Sequence, residues 1–133
     1  MHDALSQFHS EKYMSLETFR KNGEGVKTPV WFAEEDGTLY VTTLSTTGKA
    51  KRIRNIPRVR IAPCDRSGNI EGDWVEGQAK LLTGDEAKRA DKLLDKKYGL
   101  AKKAFSVAYN FAKGDPALIE VRPASDVSAN HGS

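Results

Sequence analysis

A small antiparallel β-barrel, mainly β with helices tucked into two of its crossings, is the fold the sequence predicts, and three observations carry the prediction. Six segments read as short strands, several of them alternating apolar and polar residues with the two-residue period of a half-buried strand. Turn signals separate many of them, at Asn22-Gly23-Glu24-Gly25, at Asp36-Gly37 and in the DRSGN run at 65–69. The connections are short and turn-rich rather than helical throughout, which argues against a parallel α/β sheet. Closing such a sheet on itself hides its edges, an advantage for a chain of 133 residues.

Taken in order, residues 3–8 (DALSQF) predict one short helix, with Asp3 as its cap and Leu5 and Phe8 turned inward. KYMSLETFR follows as the first strand, with Met14, Leu16 and Thr18 on one face and Tyr13, Ser15 and Glu17 on the other. VKTPVWF is a second strand running through Phe32, and Pro29 assigns it to an edge or a bulge because proline cannot donate to the ladder. The Asp36-Gly37 turn leads into TLYVTT, whose Leu39, Val41 and Thr43 share a face. A Ser/Thr/Gly cluster, a short basic helix and Pro57 then lead to RVRIAPC, the fourth strand. DWVEGQAKLL sets Val75, Gly77, Ala79 and Leu81 against Trp74, Glu76, Gln78 and Lys80 as the fifth.

There the period changes. Thr83 and Glu86 have capping-box spacing, and Ala87, Ala90, Leu94 and Tyr98 recur at helical spacing up to a stop at Gly99. A further helical pattern spans residues 100–112, with Ala104, Val107, Ala108 and Phe111 as its stripe, ended by Gly114 and Pro116. ALIEVRP is the sixth strand, and about residues 126–133 form a loose tail. The expectation is one domain over residues 1–133.

Composition narrows the function classes. Hydrophobic residues make up 38% and charged residues 29%, which fits a globular chain and not a disordered one. No run has the length of a membrane-spanning helix, and the N-terminus lacks the layout of a signal peptide. A single cysteine, Cys64, excludes an intrachain disulfide and points to a cytoplasmic location. The three histidines, His2, His9 and His131, sit near the termini, so no metal site is expected. No nucleophile motif, P-loop or dinucleotide fingerprint occurs, and no catalytic side chain is assigned. Redox or group-transfer chemistry would have to come from a bound cofactor.

The net charge of +3 is concentrated. Lys49, Lys51, Arg52, Arg54, Arg58 and Arg60 fall within twelve positions that contain no acid, a pattern suited to an anionic ligand. A helix starting among Ser45, Thr46, Thr47 and Gly48 offers unpaired N–H groups and a positive dipole end, beside hydroxyls and the lysines. Those are the groups a phosphate needs. An ordinary capped surface helix with solvated lysines accounts for the same spacing equally well.

The order of alternating strand, Thr28-Pro29-Val30-Trp31, Asp36-Gly37 turn, Leu39-Tyr40-Val41-Thr42-Thr43, Ser/Thr-rich loop, G-K-x-K-R at 48–52, N-x-P-R-V at 55–59, Ala62-Pro63-Cys64 and D-x-x-G at 65–68 resembles the flavin and deazaflavin oxidoreductases related to pyridoxamine 5′-phosphate oxidase. Within that group it is most similar to short bacterial proteins assigned to the deazaflavin coenzyme F-420. The resemblance covers residues 12–82 in detail. It implies an FMN-binding split β-barrel that forms a homodimer, with the cofactor at the interface. It implies that Lys49, Lys51 and Arg52 hold the cofactor phosphate and that Ser45, Thr46 and Gly48 form the loop around it. The backbone of residues 28–31, including Thr28, Val30 and Trp31, and that of Thr42 and Thr43, lie along the ring, and Ala62, Pro63 and Cys64 line the ribityl chain. Trp31 as a core aromatic, Trp74 as core or interface, and Arg54, Arg58 and Arg60 as plain surface charge or as partners of a polyglutamate tail remain open.

The reading is therefore an oxidoreductase that uses coenzyme F-420 or FMN for hydride transfer to a small organic acceptor. The chain shows no match to the C-terminal substrate segment of pyridoxamine phosphate oxidase itself, so oxidation of vitamin B6 is not expected. A non-catalytic carrier or sensor on the same barrel is the alternative. A nucleic-acid-binding barrel is disfavoured, because aromatics are 8% of the chain and none interleaves with the basic run.

Overall fold

The computed structural model describes residues 5–44, 47–99 and 116–124. The expected Asp3 cap, the loop residues Ser45 and Thr46, the helical pattern at 100–112, the Gly114 stop and the tail from 126 lie outside them. Seven antiparallel strands form one sheet: β1 (Tyr13–Phe19), β2 (Gly25–Val30), β3 (Phe32–Glu35), β4 (Thr38–Leu44), β5 (Arg58–Cys64), β6 (Val75–Leu82) and β7 (Pro116–Pro123). Helix α1 (Gly48–Asn55) lies between β4 and β5, and α2 (Gly84–Tyr98) follows β6.

The sheet order is β2-β1-β5-β6-β7-β4-β3. Its two edge strands, β2 and β3, are consecutive in the chain and separated only by Trp31. The sheet must therefore curl until its opposite edges meet end to end at that residue: a barrel split along one seam. The expected strand through Phe32 is two strands for this reason. Val30 pairs with Met14 of β1, whereas Phe32 pairs with Val41 of β4, so the two halves belong to opposite ends of the sheet. Pro29 does sit on an edge strand, where its missing N–H costs no ladder bond.

The inward faces follow the alternation. Leu16, Leu39, Val41, Val59, Ile61, Ile119 and Val121 are completely buried inside the curl. Along β6 the residues Val75, Gly77 and Ala79 are buried and Glu76, Gln78 and Lys80 exposed. β1 departs from it, because Ser15 and Glu17 are buried as well as Met14, Leu16 and Thr18. Glu17 is held there by Arg60, whose Nη1 lies 3.0 Å from its carboxylate.

Asp36 and Gly37 have φ of 53° and 81°, which makes the β3–β4 connection the type I′ turn that matches strand twist. The first helical segment shortens to a 3-10 turn at Ser6–Phe8, with Leu5 and Phe8 buried as expected. α2 lays Ala90 and Leu94 against Ala33, Leu82 and Leu118 on the outer face of the sheet, forming a second core. It begins after Thr83, but that hydroxyl makes no capping bond, so the expected capping box is not formed. Asp85 and Glu86 in the first turn and Lys96 and Lys97 in the last complement the helix dipole instead. The helix stops at Gly99, whose φ of 54° lets its N–H reach the carbonyl of Asp95.

Candidate functional site

Where the two edges meet, the backbone of residues 31 and 32 leaves one strand ladder and joins another. Tyr98, at the end of α2, covers this junction. Its hydroxyl accepts from the N–H of Phe32 at 2.9 Å and lies 2.7 Å from the carbonyl of Lys12 and 2.9 Å from that of Phe32. Its ring stacks on the Trp31 indole at 4.5 Å between centroids and 8° between planes. Burial pushes the Tyr98 phenol up to about 12. The folded value exceeds the ordinary 10.0, so the stability contributed by the neutral phenol is complete below pH 10 and lost as pH rises toward 12. Alkaline unfolding curves should show this loss in the wild type, and Y98F should lack that component.

Beside the junction is a cleft of about 320 Å³. The β2–β3 junction contributes Pro29, Val30 and Trp31, the end of β4 Thr42 and Thr43, and α1 Lys49. Tyr13 of β1 and Arg66 of the β5–β6 loop complete its walls. The volume falls at the lower end of the roughly 300–1,000 Å³ of small-molecule sites.

The cations of this cleft have local structural causes. Thr47 caps α1, accepting from the N–H of Ala50 at 3.4 Å, and its hydroxyl lies 3.4 Å from that of Thr43. This ties the helix start to the end of β4 and seats Lys49, in the first turn, against the cleft. Burial and then the neighbouring Arg52 pull the Lys49 amine below its ordinary value. Arg52 donates from Nε to the Thr18 hydroxyl at 2.6 Å. Its guanidinium folds back over Gly48, where an added Cβ would come within 2.6 Å of it. Arg66 is delivered by a loop organised around Asp65, whose carboxylate accepts from the N–H groups of Ser67 and Asn69 and from the Asn69 side chain. Those bonds hold the Asp65 carboxyl below its usual range. Among the described residues, no acid forms an ion pair with Lys49, Arg52 or Arg66.

Of the residues named from sequence, the structure brings Val30, Trp31, Thr42, Thr43 and Lys49 together in this cleft. Gly48 and Arg52 stand behind Lys49 at the head of α1. Thr28 pairs with Leu16 farther along β2 and is not among the wall residues. Lys51 is exposed and lies outside the cleft. Ala62, Pro63 and Cys64 are buried in β5 and are not brought to the cleft; Cys64 pairs with Tyr13, and it is Tyr13 that reaches it. Burial and the nearby acids Asp65, Glu71 and Glu11 push the Cys64 thiol up to about 11, so it carries no thiolate near neutrality.

Arg58 and Arg60 are paired with acids rather than standing as free surface charge. Arg58 grips Glu76 through two bonds of 2.9 and 3.0 Å, and Arg60 pairs with Glu17 and Glu76. Trp74 is half-buried and flanked by Arg60 and Lys27, whose charged groups lie 4.8 and 5.2 Å from its ring. Sequence reasoning missed Tyr13, Arg66 and Tyr98 as site residues. Only the D-x-x-G turn beside Arg66 gave a local signal; Tyr13 and Tyr98 arrive through tertiary packing. Among the described residues, no group of His, Cys, Asp and Glu could hold a metal ion, and no helix is long and apolar enough to cross a membrane.

Solved structures share this arrangement. HutZ, a haem storage protein of Vibrio cholerae, superposes with a TM-score of 0.67 at 15% identity over 86% of this chain and 83% of its own. A Listeria innocua protein provisionally named a pyridoxamine 5′-phosphate oxidase gives 0.63 at 15% identity over 90% and 89%. An F420 reductase gives 0.59 at 19% identity over 92% and 95%. At these identities the likeness is one of fold. No curated protein sequence matches the chain significantly. The family match is direct: residues 1–125 match the pyridoxamine 5′-phosphate oxidase family, and the chain belongs to it as a split β-barrel protein.

Proposed function

We propose that the Trp31 cleft binds a phosphorylated flavin or deazaflavin, FMN or coenzyme F-420, and that the protein is an oxidoreductase acting on a small organic acceptor. One observation carries the reading: a half-buried ammonium, Lys49, lines a cleft walled by an indole and two threonines and has no acidic partner among the described residues. A buried cation without a counter-charge costs free energy that a phosphate would recover. The donor set fits such a ligand. Lys49 and Arg66 supply charge, Thr42 and Thr43 form the β4 wall, and Trp31, Val30 and Tyr13 supply a surface for a planar ring.

When bound, the flavin or deazaflavin supplies the hydride chemistry; the chain's residues bind, orient and exclude water. No side chain is assigned as a general acid or base. Cys64, buried with its thiol pushed up, is no nucleophile. As part of the same reading the protein is a homodimer whose second copy completes the cleft, supported by membership of the family.

Titration of the purified protein with FMN and with coenzyme F-420, followed by ligand fluorescence, tests the proposal, with haemin as the third arm because the fold relatives include haem proteins. Saturable binding of a flavin or deazaflavin with reduction of an enone or quinone supports it. Binding without turnover would favour a carrier or sensor, and haemin binding alone would overturn it. Sedimentation of the same sample reads the oligomeric state.

A further inference from the structure

We propose that Tyr98 is a positioning residue for the cleft: it holds the Trp31 ring in place and so sets how tightly the cleft grips a planar ligand. The inference rests on the flavin reading for its ligand and on the structure alone for the Trp31 contact.

Trp31 belongs to neither β2 nor β3, so it is the one residue of the junction outside both strand ladders. Its half-buried side chain lines the cleft. The ring parallel to it is that of Tyr98, and the Tyr98 hydroxyl is fastened to the backbone on both sides of the seam, at Lys12 and at Phe32. Tyr98 is thus anchored at its tip to the segments flanking Trp31 and presses its face on the indole. Its own place is fixed one turn earlier, where Leu94 is completely buried in the second core. The chain of contacts runs from core to α2, from α2 to Tyr98, and from Tyr98 to the wall of the cleft. An offset or parallel aromatic pair of this kind favours one ring orientation over the alternatives, and an orientation selected in the free protein lowers the ordering cost of binding.

A W74F background makes Trp31 the sole tryptophan, since the chain has two. In that background Y98L removes the ring, and Y98F removes only the hydroxyl. The expected result for Y98L is red-shifted Trp31 emission, stronger acrylamide quenching and a Kd for FMN or coenzyme F-420 raised about tenfold. Y98F should show increased quenching and a Kd raised about threefold, and Y98W should recover part of what Y98L loses. V121A is the control, destabilising the first core from β7 without belonging to α2 or to the cleft. At a comparable loss of Tm it should leave emission and Kd unchanged, which separates positioning from general destabilisation. Unchanged emission and quenching in both Y98L and Y98F would overturn the proposal; so would equal changes in V121A. If Y98L does not fold, Y98F decides by the same criteria. If the parent protein binds neither ligand, the flavin reading fails, while the Trp31 emission still decides the role of Tyr98.

Discussion

Replacing Lys49 with alanine is expected to weaken FMN or coenzyme F-420 binding by about 1.5–3 kcal/mol, roughly ten- to a hundredfold in Kd. The expectation follows from where the amine sits. It lines the cleft, burial and Arg52 destabilise its charged form, and among the described residues no carboxylate compensates. A phosphate arriving beside it would gain a charge-assisted hydrogen bond and relieve its repulsion with Arg52. K51A should leave Kd nearly unchanged, because Lys51 is exposed on the same helix and its field is screened by solvent. Fluorescence titration of the two variants at one ionic strength checks both. Equal effects would mean that general basicity, and not the cleft, attracts the ligand. The fold should survive either change, since neither side chain belongs to a core cluster.

Phe32→Ala is expected to cost about 3–5 kcal/mol of stability, enough to leave much of a marginal protein unfolded. Phe32 is 1% exposed and meets Phe8 edge to face, with centroids 5.8 Å apart and planes at 81°. The Lys97 ammonium lies 3.6 Å from its ring centroid. Truncation would empty a site where β3, the 3-10 turn and the end of α2 converge. Urea unfolding should show a lower midpoint for F32A, with F32L much less affected. A double-mutant cycle with F8A should give a coupling of about 0.5–1.5 kcal/mol, the worth of the aromatic pair beyond burial. A coupling near zero would mean that the two rings do not act as a pair.

Legibility in the sequence tracked how local each cause is. Asp36-Gly37 announced its turn because a two-residue hairpin needs positive φ at both positions, and Pro29 announced an edge because it lacks an N–H. The alternation of β4 and β6 was readable because one face of each is buried. The break at Trp31 was not, since nothing in VKTPVWF tells that Val30 and Phe32 pair at opposite ends of the sheet. Ser15 and Glu17 lie on the face opposite Met14 and Leu16, as the alternation has it, yet they are buried too, and Arg60 neutralises Glu17 from the neighbouring strand. The site divides the same way. Lys49 beside Thr42 and Thr43 follows from a helix beginning just after a strand, whereas Tyr13, Arg66 and Tyr98 come from other strands, a loop and a helix end that no spacing rule brings together. Ala62, Pro63 and Cys64 were expected along the ribityl chain by resemblance alone; they lie buried in β5 and are not among the cleft walls.

The place of β7 has a consequence for how this protein is made. β7, the last of the described strands, sits between β6 and β4, bonding to both along its length. Until residues 116–123 have left the ribosome, β4 and β6 each present an unsatisfied ladder to solvent or to another nascent copy. Assembly is completed by that late insertion, a long-range closure of the kind that slows folding. A stop codon before Pro116 would leave two sheet fragments seeking partners, so truncated products of this gene should aggregate rather than persist as loosened monomers.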